Sequence, residues 1–333
     1  MRVESTNFNP TTSTQSKNID SNNTAYNKPL LEFKNQASGS EISSTGKDVS
    51  VGNSATVKLN DEVESSILPN YVQQKVSIQL KNGDKFDIPI HISSNIDAET
   101  NQKALKNLTK TLSNIPENVL KDLNVECKNI ILSPNILFNK AATAQAFPAL
   151  NQMLVSANNL AQMSEGESAT TIVHELGHLV DDSKEIGKAT KFYGKEFDTL
   201  KKLATSELGF KEDSHMYDKC SEFFADYYAF NAGVLVDTPT RKAKTQFDLF
   251  KNYLKDFENL SEKDFNAKYK DKGNDIKQVA SAWKDLKHNF DYYLRNVNDG
   301  SLSNEDRADS RREPMSPEQI AEKINVNTAK EPP

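Results

Sequence analysis

Apolar residues alternate with polar ones at Val76, Ile78 and Leu80, stop at Asn82-Gly83, and resume at Phe86, Ile88, Ile90 and Ile92, a pattern that predicts a β-hairpin. Ala104, Leu105, Leu108 and Leu112 then fall at helical spacing up to Ile115-Pro116, and a shorter apolar set, Val119, Leu120 and Leu123, follows the proline. Ile130-Ile131-Leu132, ended by Ser133-Pro134-Asn135, reads as a strand, and Met153-Leu154-Val155 as another. Beyond these, helical spacing predicts helices at about 187–205, 221–233, 241–258 and 275–295. Strands come first and helices after, so the expected fold class is α+β, with a small antiparallel or mixed sheet.

The flanks carry no such pattern. The first 68 residues are dominated by Ser, Thr, Asn, Lys and Gly, and residues 297–333 by Asp, Arg, Glu, Asn and Pro. Neither stretch holds enough apolar surface to offset the entropy of ordering, so both are expected to be disordered tails. The main folded domain is expected over 69–260, with a helical extension over 261–296. The net charge of −6 argues against a sequence-independent nucleic-acid binder. No apolar run is long enough to span a membrane, and Met1–Asp20 lacks the order of a signal peptide, so the chain is expected to be leaderless. Its Ser/Thr/Asn-rich start is similar to the export signals of specialised secretion systems; a flexible cytoplasmic tail is the alternative. Cys127 and Cys220 are too few for a disulfide framework or a cysteine-based metal site.

One run changes the picture. Ile172-Val173-His174-Glu175-Leu176-Gly177-His178-Leu179-Val180 places two histidines four residues apart in a helix-competent apolar stretch. That spacing is just over one helical turn, so both imidazoles leave one face and can share one ion. Zinc accepts such nitrogens, and Glu175, beside the ligands but off their axis, is suited to take a proton from an attacking water. Gly177 weakens the helix unless a neighbouring element packs close against it. A catalytic zinc needs a third protein ligand, and Ser221-Glu222-Phe223-Phe224-Ala225-Asp226 offers two carboxylates one turn apart among aromatics. Glu222 is the expected third ligand, and Asp226 the expected acceptor for the free N–H of a ligating imidazole. Asp181 follows the motif too closely in the same helix to complete a tetrahedron, and is expected to support the site from behind.

The two stretches together, His174-Glu175-Leu176-Gly177-His178-Leu179-Val180-Asp181-Asp182 and Glu222-Phe223-Phe224-Ala225-Asp226, resemble the catalytic domain of anthrax lethal factor and its Pro-Pro endopeptidase relatives over roughly residues 125–260. The resemblance implies a zincin-like, gluzincin-type endopeptidase holding one zinc through His174, His178 and Glu222, with Glu175 as base. It also implies an antiparallel edge strand that pairs with an extended peptide substrate, for which Gln152–Ala157 is the best match in position. The family places a tyrosine seven residues before the glutamate ligand to steady the oxyanion. Here that position is His215, and Tyr217 lies two residues later, so both are candidates for the donor. A protein or peptide is thus the expected partner, a monomer the expected state, and an exported toxin or effector protease the expected role. A peptide-binding module that does not turn its ligand over is the alternative.

Overall fold

A computed structural model of the chain describes residues 55–60, 62–65, 68–136, 142–183, 189–210 and 215–298. The polar start before residue 55, with the export reading that rests on it, and the tail beyond residue 298 lie outside the described residues.

The fold is α+β, built on a mixed sheet of seven strands: β1 (Ala55–Leu59), β2 (Val63–Glu64), β3 (Tyr71–Leu80), β4 (Lys85–Ser93), β5 (Asn129–Ser133), β6 (Ala144–Phe147) and β7 (Gln152–Ser156). The order is β1-β3-β4-β5-β7-β6, with β2 also paired to β3. The expected hairpin is β3–β4, antiparallel from Tyr71↔Ser93 to Gln79↔Lys85, with Gly83 at φ 96° in the turn where a Cβ would be strained. β4, β5 and β7 run parallel, and β6 turns back antiparallel on β7.

Two sequence expectations fail here. The ordered sheet begins at Ala55, not at residue 69, because Ala55, Val57 and Leu59 alternate along β3 in an antiparallel ladder. Gln152–Ala157 is not an edge: β7 is flanked by β5 and β6, and every one of its five residues is buried. A continuous apolar run such as Met153-Leu154-Val155 marks a strand covered on both faces. Among the described residues, the edge on that side is β6.

Helices α1 (Ala98–Asn114) and α2 (Glu117–Glu126) follow the hairpin, with Asp97 Oδ1 capping α1 by accepting the Thr100 N–H at 2.9 Å. A short turn, α3 (Ala157–Leu160), then leads into α4 (Glu165–Ser183), the motif helix. Ser164 and Glu167 close its start reciprocally: the Ser164 N–H donates to Glu167 Oε2 at 3.0 Å and the Glu167 N–H to Ser164 Oγ at 3.4 Å. Ile172, Val173, Leu176, Leu179 and Val180 bury one face of α4 in the core.

The remaining helices are α5 (Ala189–Lys202), α6 (Cys220–Asn231), α7 (Ala243–Asn259), α8 (Glu262–Tyr269) and α9 (Gly273–Asn298). The last is no appendage. Trp283 and Phe290 of α9 join Phe223 and Tyr227 of α6 and Phe247 and Phe250 of α7 in one buried aromatic cluster, with ring centroids 5.1 Å apart for Phe223–Phe247 and 5.3 Å for Tyr227–Phe290. The expected boundary at residue 260 therefore cuts through a single core, because α6 cannot bury its aromatics without α9. Among the described residues, no helix is long and apolar enough to cross a membrane.

Candidate metal centre

Two helices carry the site, and a glycine sets their separation. A Cβ built on Gly177 of α4 would lie 2.9 Å from Ala225 Cα of α6. Only a residue without a side chain permits that approach, the reason the helix accepts its conformational cost. Thr170 adds a second tie: its hydroxyl donates to Val234 O at 2.8 Å and accepts the Val236 N–H at 2.9 Å, fixing α4 to the loop after α6.

That approach brings Glu222 of α6 against both motif histidines. Glu222 Oε2 lies 3.3 Å from His174 Nε2 and 3.2 Å from His178 Nε2. It also lies 3.3 Å from Nδ1 of His215, which opens the one-turn 3₁₀ helix His215–Tyr217 just before α6. Although all three nitrogens are within ion-pair range, this buried oxygen has no aligned hydrogen bond among the described residues. Ligand atoms about 2.0–2.1 Å from a tetrahedral metal ion stand about 3.3–3.4 Å from one another, the separation that Glu222 Oε2 keeps from each nitrogen. His174, His215 and Glu222 offer ligand atoms that all fall within 4.8 Å of one another, and this group could hold a metal ion. The donor set is imidazole nitrogen with carboxylate oxygen, one that divalent transition metals accept.

Behind His174 stands a fixed partner. Its Nδ1 donates to Asp226 Oδ1 at 2.8 Å, which leaves Nε2 free to face Glu222. Arg241 pairs with the same Asp226 oxygen and comes within 3.2 Å of His174 Nδ1. Burial opposes a charge on His174, but Asp226, helped by Glu222 and Glu175, outweighs it and raises the imidazole to about 9. Burial likewise works against ionised Asp226 and Glu222. The facing His174 and Arg241 hold the Asp226 carboxyl below its usual range, and His174, His178 and His215 do the same for Glu222. His215 moves the other way: burial lowers its pKa, and Arg241 and His174 reinforce that against the pull of Glu222.

Glu175 leaves α4 toward the sheet. Its Oε2 accepts the Ala146 N–H of β6 at 2.6 Å, so the acid of the motif touches the sheet edge. Tyr217, in the same one-turn helix as His215, is fully buried; its ring centroid is 6.1 Å from that of Phe223, and its hydroxyl has no hydrogen-bond partner among the described residues. His215, one of the two expected donors, is gathered with His174 and Glu222. Asp181 is buried on α4, where its charge acts on the Cys220 thiol at the start of α6. His91 lies in the sheet, bridging Ser65 at 2.9 Å and Asn129 at 3.2 Å.

Arg241 is the site residue that sequence reasoning missed. A turn at Thr238–Arg241 places it, closed by the Thr238 N–H to Arg241 O at 2.9 Å and the Arg241 N–H to Thr238 Oγ1 at 3.1 Å. Thr238-Pro239-Thr240 is a turn signal, but nothing local says that the next residue reaches back to α6. No family model matches this chain, and no curated protein or solved structure matches it either.

Proposed function

We propose that the chain is a zinc-dependent endopeptidase of gluzincin type on a zincin-like fold, in which His174, His178 and Glu222 hold one zinc ion and Glu175 is the general base. The observation that carries this reading is Glu222 Oε2: a buried carboxylate oxygen at zinc-ligand spacing from the His174 and His178 nitrogens, yet aligned for a hydrogen bond with neither. When bound, zinc supplies Lewis acidity, which acidifies a water and polarises a peptide carbonyl.

The chain's own residues do the rest. Glu175 takes the proton of the attacking water and delivers it to the leaving amine. Asp226 holds His174 through Nδ1, so that Nε2 is the nitrogen turned toward the metal. His215, whose Nδ1 lies 3.3 Å from Glu222 Oε2, and Tyr217 two residues on are the donors for the developing oxyanion. An extended peptide adds to the outer edge of β6, the strand whose Ala146 touches Glu175.

The test is cleavage of a mixed peptide library by zinc-loaded protein with and without chelator, read by mass spectrometry of new termini. Wild type is expected to cleave in a chelator-sensitive way, and Glu175→Gln to bind one zinc without cleaving. Cleavage by Glu175→Gln at the wild-type rate refutes the assignment. A second reading, a zinc-containing module that binds peptide without hydrolysing it, draws on His215 standing seven residues before Glu222, where the resemblance places a tyrosine, with Tyr217 two residues later and buried. It requires peptide binding with no chelator-sensitive cleavage.

A further inference from the structure

Three imidazole nitrogens, not two, stand at ligand spacing from Glu222 Oε2: His174 Nε2 at 3.3 Å, His178 Nε2 at 3.2 Å and His215 Nδ1 at 3.3 Å. A tetrahedral ion has four corners, and a catalytic one keeps a corner open for water or substrate. His174, His215 and Glu222 offer ligand atoms within 4.8 Å of one another, and His178 of the motif also stands against Glu222.

We propose that His215 is a fourth, displaceable protein ligand, whose Nδ1 caps the metal at rest and withdraws when a peptide carbonyl arrives. The proposal deepens the zinc peptidase reading and rests on it.

The local build of His215 suits a ligand that comes and goes. The turn it opens is anchored by its other two members, since Met216 and Tyr217 are both fully buried, and the Asp218 N–H closes it on His215 O at 3.1 Å. The His215 side chain itself is 50% exposed, against 4% for His174 and 16% for His178. Rotation about its side-chain bonds therefore moves the ring away from Glu222 without opening the core. The other two imidazoles lack that freedom: α4 holds both rings, and Asp226 holds His174. The metal-facing atom also differs. His215 offers Nδ1, the nitrogen nearer its backbone, which places the turn close to the ion and leaves Nε2 on the far side of the ring. A withdrawn His215 stays within reach of the oxyanion, so capping and later hydrogen bonding are two positions of one side chain.

The chain holds five histidines, few enough to resolve individually by nitrogen NMR. The experiment loads the full-length protein, labelled with ¹⁵N-histidine, with ¹¹³Cd and reads one-bond ¹¹³Cd–¹⁵N couplings; His215→Ala assigns the signals. Three coupled imidazoles are expected, two through Nε2 and one through Nδ1, with only the Nδ1 coupling lost in His215→Ala. That variant is also expected to raise the cadmium Kd about 10- to 100-fold, the range typical of lost support at such sites. Couplings confined to two Nε2 atoms, with His215 unshifted, overturn this inference and leave the zinc peptidase reading standing. No coupled imidazole at all overturns both.

Discussion

Replacing Gly177 by alanine tests whether the spacing of α4 and α6 makes the metal centre. The added Cβ would lie 2.9 Å from Ala225 Cα, whereas ordinary contacts begin at 3.4 Å, so the helices must separate by about 0.5 Å. The obstructing atom is backbone, and no rotamer change relieves it. Overpacking of this kind costs about 1–3 kcal/mol, and alanine returns about 1 kcal/mol of helix propensity. Metal-free stability should therefore fall by no more than about 2 kcal/mol. The site responds more sharply. Metal–ligand distances tolerate about 0.2 Å, and Ala225 lies between Glu222 and Asp226 on the helix that moves. Zinc affinity should drop at least 10-fold, about 1.4 kcal/mol, measured by competition with a chromophoric chelator alongside thermal unfolding of the metal-free protein. Unchanged zinc affinity in a variant whose metal-free stability has fallen as expected refutes the argument.

Three further outcomes follow from the same geometry. Asp226→Asn removes the charge shared by His174 and Arg241 and should weaken zinc binding about 10- to 100-fold, by the same chelator competition. In metal-free protein, His174 is raised from an ordinary 6.5 to about 9, so its stabilising effect is complete below pH 6.5 and lost as pH rises through about 9. Zinc must displace that proton, so affinity should climb across this window while metal-free stability declines; calorimetry in two buffers of different ionisation enthalpy should show proton release at pH 7.5 that fades above 9. Phe290→Ala opens a void beside Phe224 and Tyr227 and should cost about 3–5 kcal/mol, read by urea unfolding with Trp283, the single tryptophan, as probe.

The parts of this molecule that could be read from sequence are those with a local period. The α4 motif declares itself because His174 and His178 share a turn with an apolar face, and Glu222 and Asp226 because two carboxylates one turn apart sit among aromatics. β1 was hidden by the polar residues around it; Ala55, Val57 and Leu59 gain meaning only from the ladder with β3. β6 is four residues long and holds two alanines, too short and too bland to announce a strand. Arg241 reaches back 15 residues to Asp226 and 67 to His174, a contact that exists only once α6 and the turn before α7 are packed.

The hydrogen bond between Glu175 and the Ala146 N–H decides how an inactive form of this protein should be made. Alanine at position 175 would remove the proposed base and also strip the partner from a backbone donor on the edge strand of the sheet. An unsatisfied strand edge invites pairing with another chain, so Glu175→Ala would confound lost chemistry with altered peptide capture or self-association. Glutamine keeps an oxygen acceptor for Ala146 and discards only the basicity, and comparing the two variants separates what Glu175 does to a proton from what it does to a strand.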